Sequence, residues 1–220
     1  MMPLRLSVEP GKPGTFLFLG AHCDDIEIGC GATVLRLVEE YPEAAFRWVI
    51  FSSDERRADE AQRAAEMLLA GAKDRKITIK SFRNAFFPFI GIELKDFFEE
   101  LKRSVSPDVI FTHVREDRHQ DHRMISDLTW NTFRSHLIIE YEIPKYDGDL
   151  GQPNFYVPVT EALMRRKIET LMDCYATQAS HQWFTPETFS GLMRIRGIEC
   201  DSSTGYAEAF YARKLLFHGV

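Results

Sequence analysis

The sequence predicts a single-domain α/β protein, a Rossmann-like three-layer sandwich with a mostly parallel sheet. Two observations predict it. Strand-like apolar runs alternate with amphipathic helices through the first half of the chain, and a length of 220 residues suits one domain with its own core. Repeated βα units form parallel sheets with helices on both faces. We therefore expect one domain over residues 1–220, with its active site at the carboxyl edge of the strands.

The individual elements follow from hydrophobic periodicity. Strand patterns cover residues 15–19, 46–51, 76–82, 108–113 and 136–143. Helical spacing of apolar residues covers residues 32–40, 55–70, 92–105, 123–133 and 160–176. Residues 146–158 are rich in Gly, Pro and Asp and predict a long loop, whereas the chain from residue 181 onward has no clear pattern.

Composition narrows the class of protein. A formal net charge of -6 argues against a general binder of nucleic acid or anionic membranes. No apolar run approaches the roughly 20 residues that span a bilayer, and the first residues lack the apolar core of a signal peptide. Four scattered cysteines do not make a disulfide framework. A reducing cytoplasm is the simplest setting, and a small molecule is the expected partner.

The turn after the first predicted strand concentrates ionisable side chains. It reads Gly20-Ala21-His22-Cys23-Asp24-Asp25-Ile26-Glu27-Ile28-Gly29-Cys30-Gly31. A dinucleotide-binding turn needs small residues where His22, Asp24 and Asp25 stand, and these carboxylates would repel a pyrophosphate. A nucleotide-binding oxidoreductase is therefore disfavoured. Imidazole and carboxylate groups are instead the ligands of divalent metals.

A second cluster, His119-Gln120-Asp121-His122, follows the fourth predicted strand. Because parallel strands end at one edge of the sheet, the two clusters can face each other. His22, Asp25 and His122 then form a His-Asp-His metal site that leaves one position open for water, as catalytic zinc sites do. Zinc is the metal we expect, although Fe²⁺ or another divalent ion fits the same ligands. Asp24 lies next to a ligand and can reach the attacking water as general base.

Structural alternatives exist for these residues. His22 could be a loop histidine, with Asp24 and Asp25 capping the next helix, but the second cluster at another strand end disfavours this interpretation. His113 is more readily explained as a hydrogen-bonded structural histidine than as a ligand. Asp117 could orient a ligand or only close its loop.

The two clusters together resemble the PIG-L/LmbE-like N-deacetylases, whose motifs read AHPDD and HPDH. The stretches Arg57-Ala58-Asp59-Glu60-Ala61 and Gly205-Tyr206-Ala207-Glu208-Ala209-Phe210 are similar to that family as well. Cys23 and Gln120 stand where the family usually has proline. The loss of proline loosens a turn but removes no metal ligand. A Cys23 thiolate could bind metal itself, but the three-ligand site is complete without it.

The resemblance implies zinc-dependent removal of an acetyl group from an N-acetylated amino sugar, of the N-acetylglucosamine type. Carried over by position, His22, Asp25 and His122 would be the metal ligands and Asp24 the base. Amide hydrolysis needs an activated water, a Lewis acid on the carbonyl, a donor to the developing charge and a proton for the leaving amine.

Three further residues take roles from the same resemblance. His119 would lie beside the substrate carbonyl oxygen and stabilise the oxyanion, with Asp121 orienting or charging it. Arg57 is a candidate for binding sugar hydroxyls, or a phosphate or carboxylate on the aglycone. A solvated surface arginine at the start of a helix explains Arg57 equally well.

Several questions stay open at this point. A metal hydrolase of a non-sugar N-acyl amide would use the same ligands, and a non-catalytic binding protein would use the crevice without a base or an oxyanion donor. The aglycone has no sequence signature. The pattern-poor C-terminal third leaves room for the interface of a homo-oligomer. His181 and Trp183 could line a sugar pocket or pack in the core, and residues 141–158 could cover the crevice or form an ordinary surface loop.

Overall fold

A seven-stranded, mostly parallel sheet forms the centre of the protein in a computed structural model that describes residues 14–216. The strands are β1 (Thr15–Gly20), β2 (Ala45–Ile50), β3 (Asp74–Ile79), β4 (Val109–His113), β5 (Leu137–Tyr141), β6 (Phe155–Val159) and β7 (Tyr206–Ala212). They lie in the order β3-β2-β1-β4-β5-β7-β6. The first five strands are mutually parallel, β7 runs antiparallel to β5, and β6 antiparallel to β7. The predicted α/β class is confirmed.

Helices cover both faces of this sheet. They are α1 (Asp25–Glu40), α2 (Glu55–Leu68), α3 (Gly91–Ser104), α4 (Gln120–Thr132), α5 (Glu161–Cys174) and α6 (Pro186–Glu199), with a 3₁₀ turn at Phe87–Phe89. Alternate residues of β1 point into two separate cores. Phe16 and Phe18 join the core that includes residues of α1, α2 and α5, whereas Leu17 and Leu19 join the core under α3 and α4. The three layers follow from this alternation.

The structure departs from the sequence prediction in two places. The predicted loop 146–158 is wrong at its end, where Phe155–Val159 form β6. This strand lies at the edge of the sheet, where Pro158 is tolerated because an edge residue need not donate to a second neighbour. The helix predicted from residue 32 begins at Asp25 and contains a break at Cys30, so its first turn lies inside the His/Asp motif.

Strand order places the two motifs side by side. β1 pairs in parallel with β4, with Phe16 opposite Val109, so both strands end at the same edge. α1 begins after β1 and α4 begins after β4, which brings the two helix N-termini to one crevice, the usual ligand position in such sheets. Within residues 14–216, no helix is long and apolar enough to cross a membrane.

Candidate active site

Three side chains from the two motifs form a triangle at this edge. Nδ1 of His22 lies 3.1 Å from Nε2 of His122. The carboxylate of Asp25 lies 3.4 Å from each of these nitrogens, through Oδ2 to His22 and through Oδ1 to His122. All three residues are buried. The fold thus brings together the three residues that the sequence proposed as metal ligands, and we call them the His22–Asp25–His122 triangle.

The dimensions of the triangle suit a small divalent metal. Zinc holds its ligands at about 2.0–2.1 Å in tetrahedral geometry, which places neighbouring donor atoms about 3.3 Å apart. The observed separations of 3.1–3.4 Å match that spacing. Two imidazoles and one carboxylate are also ligands that zinc and Fe²⁺ accept. The residues present therefore fit such a metal.

Carboxylates behind the triangle orient both histidines. Nε2 of His22 lies 3.3 Å from Oδ2 of Asp121, and Nδ1 of His122 lies 2.8 Å from Oδ2 of Asp117. Each carboxylate accepts a hydrogen bond from its imidazole, so the other nitrogen of each ring faces the centre of the triangle and would bind a metal once its proton is displaced. This pairing is typical of metal-ligating histidines. The contact with His122 fits the orienting role for Asp117, which also accepts the main-chain N–H of His119 within its own loop at 2.7 Å.

Charge in this cluster favours a cation. Burial lowers the pKa of His122, but the carboxylates of Asp25 and Asp117 outweigh burial and raise it to about 10. Burial likewise opposes ionisation of Asp25, yet the surrounding His122, His113 and His22 hold its pKa well below the usual range. The triangle therefore stabilises positive charge at its centre.

The resemblance gave Asp121 the task of orienting or charging His119, and in the structure Asp121 contacts both His119 and His22. The Asp121 carboxylate accepts hydrogen bonds from the main-chain N–H groups of Ala85 (2.7 Å) and Phe87 (3.2 Å), besides its contact with His22. The loop before the 3₁₀ turn lies over the start of α4, so the Asp121 carboxylate bonds to this loop and to His22. Only the main-chain N–H of Asp121 reaches His119.

His119 is a hydrogen-bond donor beside the triangle. It is the N-cap residue of α4, and its Nδ1 accepts the N–H of Asp121 at 3.2 Å. Burial, followed by the nearby His122 and His22, lowers the pKa of His119 to about 4. The ring is therefore neutral, and because Nδ1 accepts a hydrogen bond its proton lies on Nε2. His119 is also near enough to His22 and His122 to share an ion with them, and its ring centroid lies 4.9 Å from that of His22.

Asp24 occupies the N-cap position of α1 without a side-chain capping bond. Its Oδ1 accepts a hydrogen bond from Nη2 of Arg57 at 3.0 Å. Burial raises the pKa of the Asp24 carboxyl, and Arg57 offsets only part of that shift. The neighbouring Asp25 does not cap the helix either, because its Oδ2 accepts the main-chain N–H of His22 at 2.6 Å. The capping interpretation is therefore wrong, and Asp24 is a buried carboxylate of increased basicity.

Arg57 lies in the site and is not a solvated surface residue. It stands in the first turn of α2, where its main-chain N–H donates to the capping residue Asp54 at 2.9 Å. Its guanidinium pairs with Asp24, and among residues 14–216 its buried Nε has no hydrogen-bond partner. A guanidinium has five N–H donors, and the bond to Asp24 uses one of them, which leaves Arg57 donors for a further ligand.

Two neighbours of the triangle, His113 and Cys23, have hydrogen-bond partners of their own. Nε2 of His113 accepts the main-chain N–H of Ala21 at 3.0 Å and lies 3.2 Å from Oδ2 of Asp25, and His113 is near enough to Asp25 and His122 to share an ion. Burial, together with His122, lowers the pKa of His113 to about 4. The thiol of Cys23 lies 3.4 Å from the carbonyl oxygen of Ser52, and burial raises its pKa. Cys23 is therefore a neutral thiol hydrogen-bonded to the neighbouring main chain.

Sequence reasoning missed two supports of the site. Lys145, in the segment after β5, places Nζ 3.0 Å from Oδ2 of Asp117 and 2.6 Å from Oδ2 of Asp149. The ring of Phe87 lies 6.2 Å from that of His22. In the sequence, only the position of these two residues pointed to the site, since both of their segments follow the carboxyl ends of parallel strands.

His181 and Trp183 pack on each other and, through Trp183, on the core. The two rings stack on each other at 6.1 Å, and Trp183 packs against Phe184 of the core at 5.6 Å. Trp183 is half-buried and His181 is exposed. The packing of Trp183 fits the core interpretation.

Solved structures share this fold. A conserved protein from Thermus thermophilus is 19% identical with a TM-score of 0.73, over 93% of this chain and 96% of that chain. N,N'-diacetylchitobiose deacetylase from Pyrococcus horikoshii is 20% identical with a TM-score of 0.68, over 90% and 83%. The 4-carboxy-2-hydroxymuconate hydratase of Pseudomonas putida KT2440 is 15% identical with a TM-score of 0.76, over 94% and 99%. At these identities the likeness demonstrates the fold.

A family match is more specific than the fold. The sequence model of the PIG-L family, described as GlcNAc-PI de-N-acetylase, matches residues 17–133. This span is more than half of the 220 residues and includes both motifs and the whole His22–Asp25–His122 triangle. The chain therefore belongs to the PIG-L family of deacetylases.

Proposed function

We propose that the protein is a zinc-dependent N-deacetylase that hydrolyses the acetamido group of an N-acetylglucosamine-type conjugate. The observation that carries this proposal is the His22–Asp25–His122 triangle, whose two imidazoles bring one nitrogen each to within 3.1 Å of each other and hydrogen-bond through the others to carboxylates. Membership of the PIG-L family supports the same reaction.

The triangle would hold the metal through Nδ1 of His22, Nε2 of His122 and the carboxylate of Asp25. A divalent ion held there supplies Lewis-acid polarisation and makes water more acidic. Asp117 and Asp121 keep the two imidazoles in the orientation that binding requires, through the contacts of 2.8 and 3.3 Å.

Asp24 is the general base of the proposed reaction. Its carboxylate takes a proton from the attacking water, whose oxygen forms a bond to the acetyl carbon. A raised pKa makes Asp24 a better proton acceptor, and Arg57 fixes Oδ1 at 3.0 Å. The same proton then passes to the nitrogen of the sugar as the C–N bond breaks. The products are acetic acid and a primary amine, which at neutral pH become acetate and the ammonium form, so atoms and charges balance.

His119 stabilises the charge that develops between these steps. Because its Nδ1 accepts the N–H of Asp121, the proton of the neutral ring lies on Nε2, which can act as a donor. A neutral imidazole N–H near the acetyl oxygen stabilises the oxyanion without competing for the proton on Asp24. Asp121 thus acts on catalysis in two ways, through His22 by its carboxylate and through His119 by its main chain.

The amino-sugar substrate is supported by the family description and by the deacetylases among the similar folds, including the Pyrococcus horikoshii enzyme named for N,N'-diacetylchitobiose. Arg57 is the residue that we assign to a hydroxyl or an anionic group of the substrate, through its unpaired Nε. A non-sugar N-acyl amide is the alternative substrate. Because a hydratase shares this fold, the reaction must be tested directly.

The test is release of primary amine by zinc-loaded protein from a substrate panel. The panel contains free N-acetylglucosamine, its glycosides with acidic and inositol aglycones, nucleotide-linked forms and N-acetyl amino acids. We expect chelator-sensitive release from a sugar member. Release from N-acetyl amino acids alone would replace the sugar with a non-sugar amide, and silence of metal-loaded protein on every member would contradict deacetylation.

A further inference from the structure

Helix α1 is interrupted directly behind the active site. Cys30 has φ −149° and ψ 20°, which are not helical values, so the segment that carries Asp25 is separated from the rest of the helix. A break releases main-chain N–H and C=O groups that would otherwise bond to each other four residues apart. Because this part of α1 is buried, the released groups need other partners.

Two side chains from distant parts of the chain supply those partners. Lys167 of α5 donates from Nζ to the carbonyl oxygen of Ile28 at 2.6 Å. Glu208 of β7 accepts the N–H groups of Ala32 at 3.1 Å and of Thr33 at 2.6 Å. In an unbroken helix the Ile28 carbonyl would accept the Ala32 N–H. Lys167 therefore binds the carbonyl group, and Glu208 the N–H group, that a continuous helix would join by one hydrogen bond.

Lys167 and Glu208 also bond to each other. Nζ and Oε1 are 2.6 Å apart, and the side chains are 4% and 3% exposed. Burying two charges is costly, and an apolar pair of similar size is often as stable. A contribution to overall stability is thus a poor explanation for this buried ion pair. Its three hydrogen bonds to main-chain groups at the break provide a specific explanation.

The bridge connects directly to the residues of the site. The N–H of Ile28 donates to the carbonyl oxygen of Asp24 at 3.0 Å, which closes the turn that carries Asp24 and Asp25. Asp25 in turn accepts the N–H of His22 at 2.6 Å. A shift of the Ile28 carbonyl would therefore move the base and one edge of the triangle.

We propose that Lys167 and Glu208 are positioning residues of the metal centre: by bridging the break in α1, they fix the turn that presents Asp24 and Asp25. This inference rests on the proposed function. It assigns a role to Glu208, which lies in the Gly205–Phe210 stretch that resembles the family, and to Lys167, which no motif identifies.

The experiment compares this ion pair with a second one of similar burial. Arg196 and Glu142 are 6% and 5% exposed and bond to each other at 2.7 Å, and the other hydrogen bonds of Arg196 go to Glu199 and Gly151. We would measure the zinc Kd by competition with a chromophoric chelator, the Tm, and kcat and KM for Glu208→Gln, Lys167→Met, their double variant and Glu142→Gln.

We expect Glu208→Gln and Lys167→Met to weaken zinc binding by about 10-fold, as loss of an outer-sphere partner does, and to lower kcat more than they raise KM. Glu142→Gln should lower the Tm by about as much as Glu208→Gln does, with zinc affinity unchanged. The double variant leaves no unpaired charge, so persistent loss of affinity there would exclude a simple electrostatic effect. If Glu208→Gln does not fold, Lys167→Met provides the comparison, because it leaves both bonds of Glu208 to α1 in place.

Wild-type zinc affinity in the folded Lys167 and Glu208 variants would overturn the positioning role and leave the proposed function intact. A wild-type protein that binds no zinc would instead overturn the proposed function and this inference with it. Zinc affinity is independent of the choice of substrate, so an incomplete substrate panel does not affect the result.

Discussion

The main-chain N–H of Asp121 donates to Nδ1 of His119 across 3.2 Å. This bond closes the first turn of α4 and at the same time fixes the proton of a neutral His119 on Nε2. Three histidines meet closely here, and His22, His119 and His122 are near enough to bind one ion. The bond from Asp121 distinguishes His119 from the other two, because His22 and His122 each pair with a carboxylate, whereas Nδ1 of His119 accepts a main-chain N–H.

Substitution of His119 by asparagine tests this distinction. Asparagine is a good N-cap, so the start of α4 should be preserved. We expect kcat to fall about 10²–10³-fold, the usual loss for one oxyanion donor, with the zinc Kd unchanged. Zinc binding that weakens together with kcat would make His119 a ligand and contradict the tautomer assignment.

Substitution of Asp24 by asparagine should abolish turnover while the protein keeps its metal. Asp24 lies outside the triangle and is the proposed base, and loss of a general base typically lowers the rate about 10²–10⁴-fold. Rates and bound zinc would be measured on the same preparation. Asp96→Asn, at an exposed position of α3, serves as the control and should match wild type. A metal-loaded, fully active Asp24→Asn protein would remove Asp24 from the mechanism.

Substitution of Asp117 by asparagine should act on metal affinity first. The carboxylate holds Nδ1 of His122 at 2.8 Å and is itself paired with Lys145 at 3.0 Å. We expect the zinc Kd to rise about 10–100-fold, as for other orienting carboxylates, with near-normal kcat once zinc is saturating. Equal zinc affinity in the variant and wild type, by competition titration, would show that Asp117 only closes its loop.

The sequence predicted the parallel sheet and the meeting of the two motifs, because both depend on local patterns and on the rule that parallel strands end together. It left two roles open for Asp117, orienting a ligand or closing its loop. The partner of Asp121 was not predictable, since the N–H groups of Ala85 and Phe87 come from a loop without any motif. The strand Phe155–Val159 was missed because Gly, Pro and Asp before it dominate the composition.

The break in α1 shows a different limit of sequence reasoning. Residues 25–29 read as part of a polar turn, and their helical structure depends on long-range contacts. Ile28 is held by Lys167, and Gly29 packs against the ring of Tyr141. Such contacts join residues more than 100 positions apart, and local periodicity carries no information about them.

Substitution of Gly29 by alanine should destabilise the protein. A Cβ atom there would lie 2.3 Å from the ring of Tyr141, which is buried and anchored by a hydrogen bond from its hydroxyl to the Leu19 carbonyl at 2.6 Å. We expect the free energy of unfolding to fall by about 1–3 kcal/mol. Gly191→Ala in α6, where a Cβ meets nothing within 4 Å, should raise it by roughly 0.5–1 kcal/mol. Denaturant titration compares the two variants, and equal stabilities would contradict the packing argument.

The most direct test of the proposed function is to quantify acetate and primary amine in the same reaction, with zinc-loaded protein and the N-acetylated sugar panel. Hydrolysis by the proposed route yields both products in equal amounts, is lost on chelation and returns when zinc is restored. Substrate consumption without acetate, or a rate that survives complete removal of metal from folded protein, would contradict a metal-dependent deacetylase built on His22, Asp25 and His122.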